Sequence, residues 1–238
     1  MNEERLYELI RAKEQSATYA MPSLMRKVYV WMTLAMMITG FTAYGVASSP
    51  AILTAIFTNR ILFWGLIIAE FALVWSVSAR INRMSLTTAT LLFVLYSVIN
   101  GATLSVIFLA YTMESIASVF FITAGTFAVM AAIGSFTKTD LSSLGKILFM
   151  ALIGLIIATL VNVFVNSSSL TMILSYVGVL LFVGLTAYDT QRIKKMLITA
   201  DDIDEDTQKI ALLGSLTLYL DFINLFIYLL RIFGNSRD

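Results

Sequence analysis

Apolar residues in this chain run together in seven long stretches, with short polar punctuation between them. The stretches cover approximately 28–47, 61–79, 86–110, 116–136, 147–165, 170–188 and 210–233. Each approaches or exceeds the ~20 residues that carry a helix across the hydrocarbon of a bilayer. The punctuation is SSP at Pro50, then RINRMS, YTMES, TKTDLSS and NSSS. Both prolines, Pro22 and Pro50, fall outside the stretches, so no spanning helix is expected to carry a proline kink. The pattern divides the chain into a tail (1–27), a membrane domain (28–233) and a short C-terminal tail (234–238). The first tail is polar and of mixed charge. It lacks the basic segment, apolar core and small-residue cleavage site of a secretory signal. Either Leu6, Leu9 and Ile10 form a short apolar stripe on the membrane surface, or the segment is a disordered tail.

Composition gives the same class. Of 238 residues, 59% are hydrophobic and 13% charged, where a soluble domain has about 45–50% and roughly 25%. The expected fold is an all-α integral membrane bundle of seven transmembrane helices. Net charge is only +1, so the overall balance says nothing about nucleic acid, and no nucleic-acid partner is expected; the charge is unevenly placed. Thirteen Lys and Arg residues fall in the N-terminal tail and the even-numbered connections, against three on the other side (Arg60, Arg231 and Arg237). By the positive-inside rule the N-terminus is cytoplasmic and, with seven spans, the C-terminus lies on the far side.

Two absences narrow the chemistry. Without cysteine there is no thiolate ligand or thiol nucleophile; without histidine there is no imidazole ligand, triad base or histidine switch. A seven-helix zinc hydrolase is excluded for want of ligands. A retinal pigment is excluded because the last span has no lysine beyond Lys209 at its boundary. No enzyme and no cofactor are expected. Any protonation switch near neutral pH falls to a carboxylate perturbed by burial or by a like-charged neighbour.

Inside the spans the ionisable residues are few: Glu70 in the second, Asp189 closing the sixth and Asp221 in the seventh, with Arg80 and Arg192 at helix ends. Glu114 and Asp140 are placed in loops. A charged side chain within a span is costly and normally faces protein or water, where it has a function. Arg192, three residues after Asp189, is placed to pair with it. Asp221 has no such neighbour; Tyr219 and Asn224 are the nearby groups able to hydrogen-bond it. If Asp189 and Asp221 met, they would not both ionise readily and would titrate as a unit. At ~1.5 Å of rise per residue, helix ends at 188 and 210 leave a depth gap of about 5 to 13 Å between them.

Other features are read as structure. Ser97, Gly101 and Ser105 in the third span, and Ala124, Ala128 and Ala132 in the fourth, form small-residue faces for helix packing. The one long connection carries Asp201, Asp202, Asp204, Glu205 and Asp206. It lacks the glycine and closing glutamate of a calcium loop and is read as solvated.

GLTAYDTQRIK at the end of the sixth stretch and TLYLDFINLFIYLLRIFG in the seventh resemble the transmembrane Bax inhibitor motif (Bax inhibitor-1-like) family. TKTDLSSLG and VNVFV add to the likeness, and RKVYVWMTLAMMITGFTAYG resembles its bacterial branch. The resemblance implies a central seventh helix and a pH-responsive calcium leak, in a bacterial inner membrane. It puts the proton-sensing, cation-binding pair on Asp189 and Asp221, with Ca²⁺ as permeant or bound ion. It puts a pore or gate glutamate on Glu70. It also implies an arginine latch, whose position falls on Ile81; Arg80 beside it is taken as the latch. Two alternatives stay open: a regulator that binds a membrane protease or a cell-death-type partner, and a proton-coupled transporter.

Overall fold

A computed structural model describes residues 3–198 and 204–237, with side chains from residue 21 onward. Among these residues the chain is helical throughout, with no strand beyond an isolated bridge. The helices are α1 (Glu3–Ala47), α2 (Pro50–Thr58), α3 (Arg60–Arg80), α4 (Leu86–Leu104), α5 (Ile107–Ala110), α6 (Met113–Phe136), α7 (Ser142–Val165), α8 (Ser168–Ile198) and α9 (Glu205–Phe233), with a 3-10 turn at Ile81–Arg83. Seven segments are long and apolar enough to cross a membrane: Met21–Ala47, Arg60–Arg83, Leu86–Ala110, Met113–Phe136, Ser142–Val165, Ser168–Ile198 and Glu205–Phe233.

α9 is the hub. Within its most apolar window 67% of residues are buried, against 6% for α3 and 11% for α7. It packs against α8, α1, α6 and α4, whereas among the spanning helices α3 leans mainly on α4 and α7 on α8. The sequence suits this place, since α9 carries large apolar residues on every side. Leu212, Leu216, Leu218, Leu225 and Leu230 are all buried. Lipid tails are as apolar as leucine, so close fit rather than water exclusion joins the helices. Phe222 meets Phe120 and Phe127 of α6 edge-on at 5.5 and 5.6 Å. A methyl group added to Gly134 of α6 would strike the main chain of Ala187 in α8.

Several helix limits differ from those the pattern predicts. α1 does not break at residue 27. It continues from Glu3, with Leu24 and Met25 buried and Pro22 inside it, so one spanning helix does contain a proline. The upstream segment is rich in Glu, Arg, Lys, Gln, Leu and Ala, strong helix formers that favour its helical backbone. The side chains of Leu6, Leu9 and Ile10, on which the surface stripe rests, lie outside the described residues. Pro50 opens α2 at a first-turn position, where its missing N–H costs nothing. Glu114 lies in the first turn of α6, not in a loop. The third span is interrupted: the Ser105 hydroxyl donates to the Ala102 carbonyl at 2.7 Å, and α5 resumes at Ile107.

The two small-residue faces fare differently. Ser97, Gly101 and Ser105 are buried, and an added Cβ on Gly101 would lie 2.5 Å from the Thr39 carbonyl of α1. Of the α6 alanine face only Ala124 packs against the core; Ala128 and Ala132 are exposed. Its packed face is Val119, Thr123, Phe127, Ala131 and Gly134, because the aromatic contacts to Phe222 set the rotation of the helix.

At the C-terminal side the tail is fastened across α5. Thr112 N–H donates to Asn235 O at 3.2 Å and Arg237 N–H to Ala110 O at 3.0 Å. The Arg237 guanidinium donates to Phe108 O at 2.9 Å. At the opposite end Asp204 caps α9 by accepting from Thr207 N–H at 2.8 Å, a bond that holds its carboxyl below the usual range. Glu205 accepts from Leu86 N–H at 2.9 Å and pairs with Lys209, tying the starts of α4 and α9 together. Part of the acidic run is thus structural; Asp201 and Asp202 lie outside the described residues.

Candidate functional site

α8 and α9 run antiparallel, and two close approaches fix their register. Gly214 sits against Ile193, and Gly178 against the Tyr228 ring. Interpolated between those contacts, Asp221 lies level with about residue 186 of α8. Asp189 is then about three residues, or ~5 Å, nearer the helix end. Two side chains span that offset without unusual tilt. That register leaves the two side chains within reach of each other. Both residues are buried, at 7% and 4% exposure. α8 continues to Ile198, so Asp189 stands well inside its helix rather than closing it.

The surroundings are poor in compensation. Arg192 approaches Asp189 at 3.9 Å, with its own side chain 59% exposed, a loose pairing at the rim. Asp221 Oδ2 is buried without a hydrogen-bond partner, and so is the Thr190 hydroxyl of α8. Two carboxyl groups in contact away from water share a proton or admit a cation. Their oxygens are of the hard kind that Ca²⁺ prefers. No group of three or more acidic residues is gathered among the described residues. Ca²⁺ takes 6–8 oxygens, more than two carboxyl groups supply.

The neighbours expected of Asp221 lie elsewhere. Tyr219 and Asp221 are two residues apart, which on a helix sends them to different sides. The Tyr219 hydroxyl lies 2.7 Å from Thr39 Oγ1 and donates to Asn100 Oδ1 at 2.9 Å. Asn224 turns its amide back to the Leu220 carbonyl at 2.8 Å. Neither supports the pair. Arg80 is not beside it either: its guanidinium lies 5.8 Å from the Trp75 ring centroid, and no ion pair joins it to a carboxylate among the described residues. The arginine at the pair is Arg192.

Glu70 belongs to a second polar group. Its carboxylate accepts from the Thr103 hydroxyl at 2.6 Å, and that hydroxyl also lies 3.0 Å from the Asn100 main-chain carbonyl. Through Asn100 and Tyr219 it reaches Thr39, so one chain of polar groups links α3, α4, α9 and α1. An asparagine in the middle of an apolar span was a legible signal for this group. Thr39 carried none, because an isolated threonine in a span satisfies itself on its own helix in most positions here, as Thr123 and Thr186 do.

Beyond Asp189, the end of α8 clasps the loop between α6 and α7. Gln191 accepts from Leu141 N–H and donates to Thr139 O, each at 2.9 Å, and Lys194 donates to Ser135 O at 2.6 Å. Lys195 pairs with Asp140 at 2.6 Å. That bond, with further ones from the Ser142 hydroxyl and N–H, lowers the Asp140 carboxyl to about 2 from 3.8. A depressed carboxylate contributes stability above its unfolded value and loses it as pH falls through the folded one. Acid between about pH 4 and pH 2 therefore loosens this loop. Asp140→Ala is expected to remove that component from thermal stability measured against pH. An unchanged acid profile would show that the pair contributes nothing.

Comparison with known proteins follows the same outline. A family model described as Inhibitor of apoptosis-promoting Bax1 matches residues 21–238. The inner membrane protein YbhL of Escherichia coli K12 is 52% identical over 214 residues, 90% of this chain and 92% of that protein. An uncharacterized Rickettsia prowazekii protein, RP147, is 44% identical over 216 residues, 90% of each. An uncharacterized protein of Deinococcus radiodurans is 37% identical over 229 residues, 96% of this chain and 97% of its own length.

Proposed function

The chain belongs to the family of inhibitors of apoptosis-promoting Bax1, and from that membership and its buried acidic pair we propose that it is a pH-sensitive calcium leak channel of a bacterial inner membrane. The observation that supports this reading is the burial of Asp189 and Asp221 at nearly the same depth on the adjoining helices α8 and α9. Sharing a proton, the two carboxyls hold the helices together. Ionised, they repel, and their oxygens draw a hard divalent cation such as Ca²⁺. α9 packs on four other spanning helices, so its displacement from α8 is passed to α1, α4 and α6. The N-terminus is cytoplasmic in this reading, which opens the Asp189 end of the bundle to cytoplasmic protons. The bilayer is the solvent and Ca²⁺ the substrate; no cofactor is involved.

Proteoliposomes of the purified protein loaded with a calcium indicator test it. The expected result is a leak whose rate changes with pH around neutrality. Absence of flux at every pH would sink the proposal. The family description itself favours a second reading, a regulator that binds another membrane protein. A stoichiometric membrane partner recovered by pull-down, with no flux from the pure protein, would establish that reading instead.

A further inference from the structure

We propose that the cavity at the start of α8 holds the phosphate group of a membrane phospholipid, with Arg231 of α9 as the group that engages it. The cavity has a volume of about 320 Å³ and is lined by Ser167, Ser168, Thr171, Ser175 and Arg231. Ligand pockets run from about 300 to 1,000 Å³, so this one has room for a headgroup but not for a large solute. It lies at the opposite end of the bundle from the aspartate pair, since Ser168 and Asp189 are ~30 Å apart along one helix.

The cavity follows from helix register. Gly178 of α8 sits against the Tyr228 ring of α9. Three residues further along α9, Arg231 is level with about Ser175, and the last residue, Phe233, with about Ile173. The first turn of α8 therefore stands beyond the end of α9. The Arg231 backbone is ~10 Å deeper than Ser168, yet its side chain lines the same cavity. A cation at that depth is costly unless an opposite charge meets it. Among the described residues Arg231 forms no ion pair. Its guanidinium is held over the Tyr228 ring, 5.5 Å from the centroid. That ring is itself fixed, stacked on Phe182 at 5.9 Å and seated on Gly178. The ring attracts the charge but offers no oxygen to the guanidinium N–H groups.

The hydroxyls divide into those already engaged and those left for a ligand. Thr171 donates to the Ser167 carbonyl at 3.0 Å, and Ser175 to the Thr171 carbonyl at 2.8 Å. The Ser167 hydroxyl accepts from Leu170 N–H at 3.3 Å, which leaves its own hydrogen to give. Ser168, exposed beside it, adds a second donor. A fixed guanidinium and two hydroxyls thus share one cavity, and no carboxylate lines it among the described residues. This set matches a phosphate, whose oxygens accept from a guanidinium two at a time. A lipid is the source because the cavity opens at the end of two spans, where headgroups lie. Ile173 and Tyr176 of α8, 58% and 55% exposed, give its acyl chains an apolar surface beside the cavity.

The test is lipid binding to the delipidated protein, followed by native mass spectrometry. Dioleoylphosphatidylglycerol is expected to bind wild type with one step tighter than the rest. Arg231→Gln should weaken that step about tenfold, the loss of a charged hydrogen bond. Arg60→Gln removes a charge at the same end of the bundle but outside the cavity, and should leave the step unchanged. Dioleoylglycerol, with the same chains and no phosphate, should show no such step. An undiminished step in Arg231→Gln overturns the proposal, as does an equal loss in Arg60→Gln or equal binding of dioleoylglycerol. Glycerophosphate bound as tightly as the lipid would overturn it too, since the cavity would then serve a soluble ester. The last two comparisons use wild type alone and hold whether or not a variant folds. The readout involves no ion flux, so it stands or falls separately from the channel reading.

Discussion

Asp189→Asn combined with Asp221→Asn is expected to flatten the pH response of calcium flux while leaving the fold in place. Asparagine matches aspartate in size, keeps one carbonyl acceptor and gains a donor, so the α8–α9 contact persists as a neutral amide pair. What disappears is the proton, and with it the change between attraction and repulsion. The single variants are the more informative half of the experiment. Each leaves one buried carboxyl facing an amide, a different titrating group from the original pair. Their effects should therefore fail to add. Residues in one buried network show coupling of about 0.5–3 kcal/mol. Since about 1.4 kcal/mol is a factor of ten, the deviation from additivity is expected to range from about twofold to about a hundredfold in the flux ratio between two pH values. Asp140→Ala, whose carboxylate is exposed and engaged by Lys195, is the control that should leave the response near neutrality unchanged. A double variant with the wild-type pH dependence would remove the pair from the mechanism.

The membrane spans were legible because an apolar run of that length has one solution in a bilayer. The expensive residues were legible because any carboxylate inside a run stands out. Which of those residues meet was not legible, since contact depends on rotation about each helix axis and on register between helices. Asp189 and Asp221 illustrate register. The gap inferred from apolar limits was uncertain because α8 and α9 both continue beyond them, to Ile198 and back to Glu205. Two glycine contacts, with Ile193 and Tyr228, fix it. Tyr219 and Arg80 illustrate rotation. Nearness in sequence put Tyr219 beside Asp221, but the helix turns it to Thr39 and Asn100. Arg80 lies at a helix end where the cheap partner is an aromatic ring on its own helix, Trp75. The alanine face of α6 makes the same point. Small residues permit close approach, but Phe127 and Val119 decide which side of the helix is used.

Gly134→Ala is expected to be the most damaging single-atom change in the bundle, and to alter the pH response as well as stability. A Cβ at this position meets the main-chain carbonyl of Ala187, which cannot swing aside as a side chain can. Relief requires α6 and α8 to separate. Overpacking of this kind costs about 1–3 kcal/mol, occasionally more. Two companion substitutions grade the effect. Gly154 of α7 has open space where its Cβ would go, so Gly154→Ala should be neutral or slightly favourable. At Gly214 the obstacle is the Ile193 side chain at 2.9 Å, which can repack, so Gly214→Ala should fall between. Thermal unfolding in one detergent orders the three. The functional arm follows from position: Ala187 is two residues before Asp189 on the same helix. Moving α8 away from α6 presses it toward α9 or slides it along, and either changes the approach of Asp189 to Asp221. Gly214→Ala opens the α8–α9 seam directly, at a site further from the pair and with a softer obstacle. If Gly134→Ala lowers stability but leaves the pH dependence of flux unchanged, α6 serves only to hold the bundle together. If both move, the seat of α8 on α6 sets the spacing of the two carboxyls, and the small residue at 134 is part of the gate's geometry.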